Sequence, residues 1–205
     1  MQHNMETQNT LNEKESLAII TEMISRSRTN FKDQSFYYLM WGWLVVGAVI
    51  VEAILFNHNS PYHWIVWPIM GFGGGITSGI YGRMQGKKAG HTTHLDRAMG
   101  YVWLGFIFYL LIVLLLSASG KFGSAETGWY ISFILIMGLY GLGTFISGGL
   151  LKFKPLIYGG VASFVLVLLT IFIPSLVADF NGALIMLAAS IIVSYLIPGY
   201  MLKRS

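Results

Sequence analysis

Cysteine is absent from the 205 residues. That excludes disulfides, thiolate catalysis and Cys-ligated metals, and it leaves the redox compartment open. Charge is scarce as well. Only 11% of the residues are Asp, Glu, Lys or Arg and the mean hydropathy is +0.63, whereas a soluble globular chain carries about 25% charged residues. The composition therefore lies outside the soluble class. The first 35 residues hold no apolar run of the kind a secretory signal needs, so the N-terminus as written is expected to be the mature one.

Enzyme signatures are missing too. There is no His-Glu-x-x-His, no Gly-x-Ser-x-Gly elbow and no Gly-x-x-x-x-Gly-Lys phosphate loop. The apolar segments contain no histidine, so a serine within them would lack its usual base. The largest polar pieces are an arm of about 35 residues and a loop of about 15, too small for a separate catalytic domain. These absences point to a chain that is not an enzyme and binds no cofactor.

What is present is apolar length. Six segments, at about 36–56, 64–83, 99–118, 128–151, 155–177 and 180–201, each approach the roughly 20 residues that cross a hydrocarbon core. Their connections are short, which makes consecutive helices antiparallel neighbours. The expected fold is an all-α membrane protein, a six-transmembrane-helix bundle of three hairpins over residues 36–205. Ahead of it stands a cytoplasmic arm, residues 1–35. Within that arm, Thr10 with Glu13, or Asn12 with Glu15, would make a capping box. Leu17, Ile20, Met23, Ile24 and Phe31 then share one helical face, opposite Glu15, Glu22 and Arg26. Such an amphipathic helix, over about 12–31, lies in the membrane interface or docks a cytoplasmic or membrane protein partner.

The formal net charge is +4, and its placement explains it without nucleic acid. With the N-terminus inside, twelve Lys and Arg fall on the inner side and Lys121 alone on the outer. Tyr62, Trp64, Trp67, Trp129 and Tyr130 form an outer aromatic belt, and Tyr37, Tyr38, Trp41, Trp43, Tyr101, Trp103, Tyr158 and Tyr200 an inner one. Both termini are expected in the cytoplasm, with the chain in a bacterial inner membrane.

Glycine is concentrated in Pro68–Arg83, where it fills six of sixteen positions. In lipid, small residues let helices approach closely. Gly71, Gly75 and Gly79 form one smooth stripe, and Gly74, Ser78 and Gly82 a second. This stretch is expected to be the most tightly packed helix of the bundle, against helices of the same chain or of another copy; a homo-oligomer stays open. Ile69-Met70-Gly71 recurs as Ile136-Met137-Gly138, with Thr77 matching Thr144 at the same offset. That echo fits an internal repeat of the kind transporters use, or chance in an apolar alphabet.

Few residues invite chemistry. Glu52 is the one acidic residue well inside an apolar segment. With Thr77, Ser78, Thr144 and Ser147 it would form an ion or solute site; otherwise it reaches the outer headgroup layer and meets His58 or His63. His91, His94 and Asp96 have a metal-like spacing but make only half a zinc site, and the alternative is a solvated loop. Pro155 suits the first turn of a helix, while Pro198 should bend the last one.

Leu17-Ala-Ile-Ile-Thr-Glu-Met-Ile24, Tyr38-Leu-Met-Trp-Gly-Trp43 and Ile197-Pro-Gly-Tyr-Met-Leu-Lys203 together resemble an uncharacterised family of small integral membrane proteins from Bacteroidota. The resemblance implies an inner-membrane location and brings no functional residues. Two functions fit. One is a non-enzymatic accessory, regulatory or scaffold protein acting through partners. The other is a small-solute or proton- or cation-coupled transporter.

Overall fold

A computed structural model describes residues 34–89, 94–119 and 125–205, and every regular element among them is helical. The arm with its expected helix at 12–31, His91 and Lys121 lie outside the described residues. Six long helices run in order: α1 Gln34–Asn57, α2 Val66–Ala89, α3 His94–Ala118, α4 Ala125–Leu150, α5 Lys154–Phe172 and α6 Phe180–Arg204. Five of them, all but α2, are long and apolar enough to cross a membrane. With 24 residues α2 has the length, but its glycines dilute its apolar content. The architecture is an all-α bundle compatible with a membrane.

Local chemistry sets the ends. At the close of α1 the Ser60 N–H bonds the Leu55 carbonyl at 3.0 Å and the Asn59 N–H that of Phe56 at 2.9 Å. Asn59 takes the left-handed conformation, φ 55°, which asparagine tolerates better than most residues. The same double bond closes α4, with Lys152 at φ 52°. Pro155 stands in the first turn of α5. That helix stops at Phe172, five residues short of the expected 177, because Pro174 pushes Ile173 to φ −125°, ψ 74°. A 3-10 turn, Pro174–Val177, follows. Asp179 then caps α6, its side chain accepting from the Gly182 N–H at 3.1 Å. Near the other end of α6 the bend expected from Pro198 takes the form of a π-helical stretch, Ile192–Leu196. Widening the turn there lets the helix continue past a residue without an N–H.

Both described ends of the chain lie at one end of the bundle. Trp43 in α1 donates to the Tyr200 hydroxyl in α6 at 3.1 Å, whereas at the far end Asn181 donates to Asn57 at 2.9 Å. The two helices are therefore antiparallel neighbours. Arg83, Lys87, Arg97, Lys152, Lys154, Lys203 and Arg204 all fall at the end that holds Gln34 and Arg204, and no described Lys or Arg falls at the other.

The close-packed heart is α4, α5 and α6, with α1 laid against α6. A Cβ on Gly160 would meet the Phe145 amide nitrogen at 2.7 Å and the Gly141 oxygen at 2.8 Å. On Gly148 it would meet the Ile157 nitrogen at 2.6 Å, and on Gly159 the Val193 oxygen at 2.7 Å. Here glycine does what small residues do between membrane helices.

The expectation for α2 needs correction. Its second stripe is packed: a Cβ on Gly74 would meet Trp41 at 2.7 Å, one on Gly82 would lie 3.2 Å from the Tyr37 hydroxyl, and Trp41 donates to Ser78 at 3.1 Å. Its first stripe is open, with nothing within 4 Å of a Cβ on Gly71, Gly75 or Gly79. Among its residues whose burial is described only Gly74 is buried, and Phe72 and Ile76 stand 76% and 64% exposed. So α2 is a peripheral helix leaning on α1, because one stripe can meet only one neighbour. The sequence echo is not matched by environment either: Thr77 is exposed and Thr144 fully buried.

Candidate functional site

Glu52 sits in the last turns of α1 and is only 2% exposed. The turn that ends α1 reverses the chain and lays the start of α2 across it. The His63 Nδ1 comes to 3.1 Å from one carboxylate oxygen, and the Trp67 Nε1 donates to the other at 2.5 Å. Both oxygens are thereby engaged, so the carboxylate satisfies its hydrogen-bonding needs inside the protein. A charged group in an apolar surrounding persists only on those terms. Of the two histidines named from sequence, His63 is the partner; His58 instead bonds the Ile54 carbonyl at 2.9 Å.

Beside this pair a cleft of about 750 Å³ opens at the end of the bundle away from Gln34 and Arg204. Its wall comes from four places in the chain: Phe56, His63, Trp129 with Tyr130, and Val177–Phe180. Phe180 is the hub. Its ring lies 4.4 Å from Phe56, 5.6 Å from His63 and 5.6 Å from Trp129, centroid to centroid. The Tyr130 hydroxyl donates to the Thr170 carbonyl at 3.2 Å, which ties the second turn of α4 to the last of α5.

The five residues expected to share an ion or solute site do not share one. Glu52 is sealed by His63 and Trp67, and Ser78 accepts from Trp41 on the opposite side of α1's span. Thr77 donates to its own helix at the Gly73 carbonyl, 2.8 Å away, and Thr144 to the carbonyls of Tyr140 and Gly141, each at 3.0 Å. Most other span hydroxyls close in the same way. Ser132 bonds the Gly128 carbonyl, Thr170 that of Val167 and Ser194 that of Ser190. Ser163 reaches across to the Met137 carbonyl at 3.1 Å and to Ser190 Oγ at 2.5 Å, joining α4, α5 and α6.

Ser147 is an exception. It belongs to a second polar cluster, deep in the half of the bundle nearer the chain ends. The Tyr38 and Tyr195 hydroxyls and Ser147 Oγ are buried without a hydrogen-bond partner. Ser147 neighbours the Tyr38 hydroxyl but makes no well-aligned bond to it. The tyrosine rings pack edge-on with Tyr140 and Trp103: Tyr38 to Tyr195 at 5.5 Å and Tyr140 to Tyr195 at 5.3 Å. Tyr195 rides on the π-helical stretch of α6.

His94 opens α3 and Asp96 lies in its first turn, while His91 is outside the described residues. Among the described residues no group of three His, Asp or Glu side chains converges as a metal site would need. Trp67 and the cleft residues Trp129, Tyr130, Asp179 and Phe180 had not been joined to Glu52 by sequence reasoning, although the outer aromatic belt already contained three of them. No family model, no curated protein and no solved structure matches the chain.

Proposed function

We propose that the chain is a six-helix integral protein of a bacterial inner membrane, with both termini in the cytoplasm, that acts without catalysis as an accessory, regulatory or scaffold subunit. It would sit among the small membrane proteins of Bacteroidota that its motifs resemble. The observation that carries this reading is the closure of most of its intramembrane hydroxyls, with Tyr38, Ser147 and Tyr195 the described exceptions. Thr77, Thr144, Ser132, Thr170 and Ser194 all bond carbonyls of their own helices. A transport path through lipid needs polar groups that face a shared water-filled space, and these face their own backbone instead. The gathering of every described Lys and Arg at one end supports the inside placement of both termini. The open face of α2 leaves apolar surface for lipid or for a neighbouring helix.

Partner binding through residues 12–31 is the corresponding mechanism. The test is quantitative affinity purification from the native membrane, comparing the full chain with one lacking residues 1–31. A partner recovered in fixed ratio with the full chain and lost with the truncated one is the expected result. An identical protein profile from both contradicts the docking arm. Substrate flux in proteoliposomes that is abolished by Glu52→Gln would restore the transporter reading.

A further inference from the structure

We propose that the buried hydroxyls of Tyr38, Ser147 and Tyr195 form a binding site for a small monovalent anion of the halide class. The three come from α1, α4 and α6, are at most 2% exposed and have no hydrogen-bond partner. The Tyr38 and Tyr195 rings lie 5.5 Å apart, and Ser147 neighbours the Tyr38 hydroxyl. Ser147 is informative, because a helical serine has the carbonyl four residues back within reach. Thr144 and Ser194 use theirs, at 3.0 and 2.6 Å. Ser147 leaves that of Gly143 unused. Unpaired polar groups in an interior are destabilising, and three in one cluster call for a partner that the chain itself does not supply.

The surroundings have room for it. Gly143 lies one turn before Ser147 on the same face of α4 and is buried. A Cβ on Gly143 would come no closer than 3.4 Å to Phe106 and 3.7 Å to Trp103, which is ordinary contact. At the buried glycines on either side, Gly141 and Gly148, it would meet neighbours at 3.1 and 2.6 Å. Trp103 in turn packs against both tyrosines, with ring centroids 6.1 Å from Tyr38 and 6.2 Å from Tyr195. A methyl group and a chloride ion are close in size, so the space between α3 and α4 admits a halide.

The chemistry selects the sign of the charge. A phenol donates well and accepts poorly, because its oxygen shares a lone pair with the ring. A cation would lack a counter-charge: Glu52 and Asp179 stand at the far end of the bundle, and Asp96 is exposed. Tyr38 is one turn inside α1 and Ser147 one turn short of the end of α4, so the cluster lies near the basic end. Arg97, Lys152 and Lys154 at that end draw anions toward it. A divalent oxyanion would need charged donors to offset its desolvation, and none joins the cluster. The proposal does not rest on the scaffold reading, and either can fail alone.

The test is thermal unfolding of the full chain in maltoside detergent, with sodium gluconate replaced stepwise by sodium bromide at constant ionic strength. The melting temperature of the wild type should rise saturably, by about 3–6 °C at roughly tenfold the dissociation constant. Sulfate stabilises proteins generally and without saturation, so it serves as the control. In gluconate alone, Tyr195→Phe and Ser147→Ala should melt at the wild-type temperature or above, because each removes an unpaired polar group. In bromide each should bind at least about tenfold more weakly, having lost one bond to a charged acceptor. Gly143→Ala puts a methyl group where the ion would sit and should abolish the rise. Tyr101→Phe, which alters an exposed tyrosine, should keep it whole. No saturable rise in the wild type, an undiminished rise in any of the three cluster variants, or a loss of stability for Tyr195→Phe in gluconate alone overturns the site.

Discussion

Gly160→Ala and Gly75→Ala are the same chemical change at two helical glycines, and the structure sets them apart. The added Cβ at Gly160 would lie 2.7 Å from the Phe145 nitrogen and 2.8 Å from the Gly141 oxygen, both backbone atoms of α4. Ordinary contact begins at 3.4 Å, so α5 and α4 must separate by roughly 0.7 Å, and overpacking of this kind typically costs about 1–3 kcal/mol. One turn along, Ser163 donates across the same seam to the Met137 carbonyl; stretching that bond adds about 0.6 kcal/mol. The better helix propensity of alanine returns about 0.5–1 kcal/mol. The net loss for Gly160→Ala is therefore about 2 kcal/mol. Gly75→Ala meets nothing within 4 Å and should be neutral or gain up to about 1 kcal/mol. Reversible unfolding of the purified protein in mixed micelles, followed by circular dichroism, measures both. Equal losses for the two variants, or a larger one for Gly75→Ala, would refute the assignment of close packing to α4–α5 rather than to α2.

Other substitutions probe the polar groups. Glu52→Ala leaves the His63 and Trp67 nitrogens without their acceptor and should cost about 1–3 kcal/mol, with Glu52→Gln costing less because an amide oxygen still accepts; equal losses in the same unfolding assay would contradict that geometry. Tyr195→Phe removes a buried hydroxyl that has no partner, so stability should hold or rise by up to about 1–3 kcal/mol, and a clear loss would mean that the hydroxyl is bonded. Asp179→Ala should lose about 1 kcal/mol as the α6 cap goes, while Asp179→Asn should not; thermal melts of the pair decide it.

Much of the helical layout was legible because apolar length is written directly in sequence. The start of α6 at Phe180 and the end of α3 at Ala118 coincide with the expected bounds. What sequence could not supply was the choice of neighbour. A glycine stripe says that a helix can be approached, not what approaches it, so Gly74 and Gly82 found α1 while Gly71, Gly75 and Gly79 met no partner helix among the described residues. Glu52 stood out by its rarity, and His63 by lying eleven residues on; Trp67 is only slightly further, but it needed the reversal at Asn59 to come over the carboxylate. The cleft was hidden because Phe56, Trp129 and Phe180 lie more than fifty residues apart in sequence, with no pattern linking them. Pro198 announced a disturbance of α6 but not its form, since a kink and a π turn both accommodate a missing N–H.

The most direct test of the account is the sidedness of α2, whose ends are marked by Tyr62 and Lys87, both exposed. Because the chain has no cysteine, single variants Tyr62→Cys and Lys87→Cys can be labelled with a membrane-impermeant maleimide in intact cells without altering anything else. A bundle spanning the bilayer with its basic end inside predicts that Tyr62→Cys reacts in intact cells and that Lys87→Cys reacts only after the membrane is opened. Labelling of both positions from the same side, or recovery of the protein in the soluble fraction, would contradict it.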